Sequence, residues 1–158
     1  AGQDLLLQDG VNEVDIGATL GLVMGAQAQV VGAALLNDWS VPHTSYYRPP
    51  VKFRCRDGFL GLPQQITPGQ VQDWATLQIA VRRNGELVQS VDLHQLMRDV
   101  PKLLADVGEF MTLQPGDVLM VGTDCLADGT RPRARAGDQV EISAHGFASV
   151  VTTVGGAA

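Results

Sequence analysis

The segment Asn37 to Phe59, NDWSVPHTSYYRPPVKFRCRDGF, gathers side chains suited to gripping a small acid. Arg48, Lys52, Arg54 and Arg56 are basic, Asp38 and Asp57 are acidic, and Tyr46 and Tyr47 stand side by side. A guanidinium offers a planar fork of N–H donors that matches a carboxylate, whereas an ammonium acts as a point charge. The chain as a whole carries a formal charge of −6. Cations clustered inside an acidic chain point to a small anion such as a carboxylate, and away from nucleic acid or an anionic membrane surface. Arg48, Lys52 and Arg54 are therefore read as anion-binding. Arg56 beside Asp57 reads as a local ion pair or turn support.

Other reactive types give less. Asp38 after Asn37 can cap a turn. Tyr46 and Tyr47 read as core packing, with contact to a small acid as the alternative, and Trp39 and Trp74 read as core or interface residues. His43 reads as a surface histidine, and His94 and His145 form no constellation with it. Two cysteines, Cys55 and Cys125, make neither a disulfide framework nor metal-ligand spacing, so reduced thiols in a cytoplasmic protein are expected. Cys55 reads as a small packing residue. No apolar run reaches the ~18 residues of a membrane span. The chain opens without Met or a secretory signal pattern, so a processed chain or a piece of a longer one is expected.

The elements that must position these groups follow from pattern. A length of 158 residues suits a single domain with its own core. VDIGATLGLVMG, residues 14–25, reads as one buried strand. Residues 26–36 fit strand or helix, and three prolines make the charged segment irregular backbone. LQIAVRR and ELVQSV flank Asn84-Gly85, a hairpin signal. Asp92 can cap a helical turn. Asp99 before Val100-Pro101 suits a helix start, and Val100, Leu103, Leu104, Val107 and Phe110 repeat as its core face. VLMVGT, QVEISAHGF and ASVVTTV read as further strands. Strands and helices do not alternate, so the expected class is α+β: a mixed β-sheet rolled around its core with one main helix.

Four motifs in order, NDWS, YYRPPVKFRCRDGF, FMTLQPGDVLMVGT and GDQVEISAHGFASVVTTV, resemble the fumarylacetoacetate hydrolase family from about residue 14 to the end. The spacing is nearest to the isomerase/decarboxylase branch of 4-hydroxyphenylacetate catabolism. The resemblance implies a mixed β roll and chemistry on 2-oxo or 2-hydroxy-dienoic diacids, here 5-oxopent-3-ene-1,2,5-tricarboxylate and 2-hydroxyhepta-2,4-diene-1,7-dioate. It also implies a Mg²⁺ or Mn²⁺ ion on the 2-oxo acid and stabilisation of an enolate.

Carried over residue by residue, the resemblance makes Asp38 the metal-ligand aspartate, whereas the two glutamate positions read Gly17 and Thr19. Glu13 and Asp15 lie just upstream. Arg54 stands at the catalytic lysine position, with Lys52 two residues away and on the same side of an extended chain. Thr123 falls at the substrate-binding Gly-Thr position, followed by Asp124 where proline is usual. Arg48 and Tyr47 would bind substrate together with Arg54. An upstream lid segment is expected to be short or absent. Two readings result: a decarboxylase/isomerase subunit, or a partner without a metal beside a paralogous subunit. A homo- or hetero-oligomer is expected in either case. A hydrolase of acylpyruvates uses the same metal carboxylates and is disfavoured.

Overall fold

The computed structural model describes residues 3–44 and 51–156. In chain order the strands are β1 (Gln3–Leu6), β2 (Glu13–Asp15), β3 (Ala18–Met24) and β4 (Val30–Asp38). After a one-turn helix α1 (Val51–Arg54) come the two-residue strands β5 (Leu60–Gly61) and β6 (Thr67–Pro68). The hairpin β7 (Gln78–Arg83) and β8 (Glu86–Asp92) leads to helix α2 (Val100–Gly108). Strands β9 (Val118–Met120), β10 (Arg133–Arg135), β11 (Gln139–Ser143) and β12 (Val150–Gly155) complete the fold.

One sheet runs β1-β12-β11-β7-β8, parallel between β1 and β12 and antiparallel elsewhere. The other runs β5-β4-β3-β9, with β6 also on β4, and a separate ribbon pairs β10 with β2. A single buried cluster draws Leu20, Leu22, Leu35 and Trp39 from the second sheet and its extension, and Ile79, Val81, Val140 and Ile142 from the first. Each such side chain contributes about 1.5–3 kcal/mol on burial. This is the expected α+β roll with one main helix.

Two local expectations are corrected, the single strand at 14–25 and Phe110 on the helical stripe, and the open choice at 26–36 is settled. Residues 14–25 form two strands, because the chain leaves β2 after Asp15 and restarts β3 at Ala18. Residues 26–36, open between strand and helix, make a tight turn at Ala26–Ala28 and then β4. Helix α2 begins as expected, with the Asp99 carboxylate accepting from the Lys102 N–H at 2.9 Å. It ends at Gly108, so Phe110 leaves the helical stripe and lies 76% exposed. Asp92 likewise caps its turn by accepting from the His94 N–H.

At the β7–β8 turn Asn84 and Gly85 both take positive φ, 52° and 82°, as a type I′ hairpin requires. Asn84 also ties this turn to β11. Its Oδ1 accepts from the Gln139 N–H at 2.9 Å, and its Nδ2 donates to Asp138 Oδ1 at 2.8 Å. Burial pushes the Asp138 carboxyl up. The Arg135 N–H, the Asn84 amide and the nearby Arg83 and Arg135 charges outweigh that and hold it below its ordinary value.

Replacing Asn84 by Ala removes both side-chain bonds and leaves a β-carbon-bearing residue in a left-handed conformation. A loss of about 1–3 kcal/mol in urea denaturation is expected, with Asn84→Gly recovering only the conformational part. Because the folded-state pKa of Asp138 is depressed, its stabilisation is present above the unfolded value of about 3.9 and is lost as pH falls through the folded value. Asp138→Asn should flatten the acid limb of stability against pH.

Candidate functional site

The site is built where β3 and β4 begin and end together. Ala18 pairs with Asn37 and Thr19 with Leu36. Just before β3, the Gly17 N–H donates to Asn37 Oδ1 at 2.9 Å, and the Asp38 N–H donates to the Gly17 carbonyl at 2.8 Å. Asn37 is 1% exposed, so this carboxamide is an interior clasp. Strand alternation sets Gly17, Thr19, Leu36 and Asp38 on one face, opposite the face of Leu20 and Leu35.

Helix α1 brings its basic group to this face. The Val41 N–H donates to the Phe53 carbonyl at 2.8 Å, and the His43 ring stacks on Phe53 at 4.6 Å between centroids. Arg56 Nε donates to the Lys52 carbonyl at 2.6 Å, and its Nη1 reaches Gln8 at 2.8 Å. Arg56 therefore braces the α1 turn, the second of its two expected roles, and no ion pair with Asp57 stands among the described contacts. So held, Arg54 Nη1 meets Asp38 Oδ2 at 3.2 Å, with side chains 41% and 17% exposed.

The helical turn overturns one expectation about Lys52. Residues two apart on a helix do not share a side, and Lys52 Nζ lies 5.3 Å from the Phe53 ring centroid. Cys55, expected to pack, is exposed. Arg48, Tyr46 and Tyr47 lie outside the described residues. Thr123 lines a cavity of about 340 Å³ with Val91, Leu96, Leu103 and Val121. It joins the Asp38 face through its neighbour, since Thr19 Oγ1 donates to the Gly122 carbonyl at 2.6 Å.

One residue was missed. Arg131, half-buried, donates from Nη1 to the Asp38 carbonyl at 3.2 Å across a separation of 93 residues. Its chain is fixed by the Ile16 N–H, which donates to the Pro132 carbonyl at 2.8 Å, and by a compact turn before it. In that turn Asp128 accepts from the Thr130 hydroxyl and N–H, which hold its carboxyl below the ordinary range. The basic run at 131–135, RPRAR, was the available signal. A β-carbon placed on Gly17 would lie 2.6 Å from Arg131 Nη1 and 2.1 Å from the Asp38 carbonyl oxygen.

A hard divalent cation wants about six oxygen ligands. Position 17 has no side chain, and the buried Thr19 hydroxyl is engaged by Gly122. The Asp38 carboxylate faces a guanidinium, and a second guanidinium sits beside Gly17. Glu13 and Asp15 are held by Arg133, at 2.7 and 3.0 Å, on the β2–β10 ribbon. Among the described residues no group of three acidic, His or Cys side chains converges. The donor set does not fit a resident Mg²⁺ or Mn²⁺.

Compared with known proteins, residues 1–155 match the model of the fumarylacetoacetate hydrolase C-terminal family. The homoprotocatechuate catabolism bifunctional isomerase/decarboxylase of Escherichia coli is 34% identical over 141 residues, 83% of this chain but only 31% of that protein. The chain thus spans about a third of that relative. Maleylpyruvate hydrolase from Sphingobium sp. SYK-6 superposes with a TM-score of 0.80 at 26% identity, covering 99% of this chain and 59% of the other. Fumarylpyruvate hydrolase from Pseudomonas aeruginosa, solved with Mn²⁺ and pyruvate, gives 0.85 at 19% identity, covering 99% and 72%. This last likeness concerns the fold alone.

Gly17→Ala tests the pinch at the base of the site. Because the added methyl meets a backbone carbonyl, a drop of several °C in Tm is expected, corresponding to about 1–3 kcal/mol of overpacking. Asn37→Ala should cost a similar amount by leaving the buried Gly17 N–H unpaired.

Proposed function

This chain belongs to the fumarylacetoacetate hydrolase family, and from that premise we propose that it serves an isomerase/decarboxylase of aromatic-acid catabolism by binding a 2-oxo or 2-hydroxy-dienoic diacid at the Asp38–Arg54 face. The observation that carries this reading is Arg54 itself. It is anchored through α1, pre-oriented by Asp38 at 3.2 Å, and still exposes 41% of its side chain in an otherwise acidic protein. Two similar enzymes, from Escherichia coli and Salmonella dublin at 34% and 33% identity, bear names that place them in homoprotocatechuate and 4-hydroxyphenylacetate breakdown.

In this reading Arg54 receives a substrate carboxylate or the oxygen on which negative charge develops as the enolate forms. A fixed guanidinium stabilises such charge without acting as a base. Arg48, Tyr47 and Lys52 belong to the same anion-binding segment, and Thr123 offers a hydroxyl to the oxo group. The substrates are 5-oxopent-3-ene-1,2,5-tricarboxylate and 2-hydroxyhepta-2,4-diene-1,7-dioate.

Gly17 and Thr19 favour a second reading, in which this domain lacks a metal and works beside a paralogous, metal-binding domain or subunit. The two readings separate on turnover by the purified chain. Activity towards 2-hydroxyhepta-2,4-diene-1,7-dioate, lost in Arg54→Ala, supports the first. Binding without turnover, with turnover restored by a metal-binding homologue, supports the second. For Arg54→Ala, the diacid should bind about ten-fold or more weakly, as expected for loss of a charged hydrogen bond. Unchanged affinity and turnover would remove Arg54 from the site.

A further inference from the structure

We propose that a second guanidinium, Arg131, completes this site, so that the chain grips the carboxylate of a 2-oxo acid between Arg54 and Arg131 with no divalent cation. The inference rests on the reading that this face binds such an acid, and it assigns the cationic role there to a residue.

Both arginines converge on Asp38, Arg54 on its carboxylate and Arg131 on its main-chain carbonyl, each at 3.2 Å. Arg131 Nη1 also lies 2.6 Å from where a β-carbon at position 17 would begin. The guanidinium therefore occupies space next to the strand that a carboxylate side chain from position 17 would need. Two positive groups against one carboxylate leave this face with a local surplus of one positive charge. Each guanidinium has five N–H donors, and the bonds to Asp38 use one of them on each arginine, leaving donors to meet a ligand carboxylate.

Arg131 is not a surface cation that happens to lie nearby. It is half-buried, and its backbone is tied to β3's entry through Pro132 and Ile16 and shaped by the Asp128–Thr130 turn. That pre-organisation lowers the cost of ordering the side chain on a ligand. A resident divalent ion at the same place would face two guanidinium groups and a single carboxylate, so ligand charge is balanced here by arginine alone.

The test is calorimetric titration of the full chain with oxalate, in buffer containing EDTA and again with Mn²⁺. Oxalate is expected to bind in EDTA, with affinity unchanged by Mn²⁺. Arg131→Gln should weaken that binding ten-fold or more, and Arg131→Lys, which keeps the charge but not the fork, should fall between them. Thermal melting of each variant checks folding; should Arg131→Gln not fold, the Lys variant decides. Binding that appears only with Mn²⁺, or Arg131 variants that bind as the parent does while Arg54→Gln does not, would overturn the proposal and leave the functional reading standing. No oxalate binding in either buffer would overturn both.

Discussion

Everything at this site depends on how closely the main chain of Gly17 approaches that of Asp38. The approach is fixed from both sides, by the Asn37 carboxamide on the Gly17 N–H and by the Asp38 N–H on the Gly17 carbonyl. With the two backbones so near, a β-carbon at 17 would lie 2.1 Å from the Asp38 carbonyl oxygen. That constraint decides which side chains can line the face. It admits Asp38 and the incoming Arg54 and Arg131, and it leaves no room for a carboxylate from β3's entry.

The hydrophobic pattern makes most of the framework legible. The Asn84-Gly85 hairpin, the Asp99 cap with Pro101 behind it, and the buried run of β3 are local, so neighbouring residues carry the information. Phe110 was misplaced because a stripe at helical spacing continued past Gly108, where the helix stops. Asp38 and Arg54 were legible as candidates through their family motif. Their ion pair was not, since a charged, proline-rich segment does not announce a helical turn at Val51–Arg54. That turn is also what separates Lys52 from Arg54. Arg131 showed in sequence only as part of a basic run, and its role did not, because its partner lies on a strand far away in sequence.

The other arginines of the RPRAR run behave differently from Arg131, for a reason of register. On β10, Arg133 pairs with Asp15 and Arg135 with Glu13 across the ribbon. The Asp15 hydrogen bond raises the Arg133 pKa above its ordinary value, against burial, aided by the Asp15 and Glu13 charges. Such exposed pairs contribute at most about 1 kcal/mol each, yet they neutralise the two carboxylates nearest the site in sequence. Arg131, just before the strand begins, escapes this pairing and is directed to Asp38.

The pinch at Gly17 also bears on how this protein can change. A glutamate at that position requires the Asp38 carbonyl to move, the Asn37 clasp to loosen and the Arg131 side chain to vacate its place. Position 17 and the Arg131 side chain thus exclude one another, so a carboxylate at 17 and this arginine arrangement are alternative states of one junction.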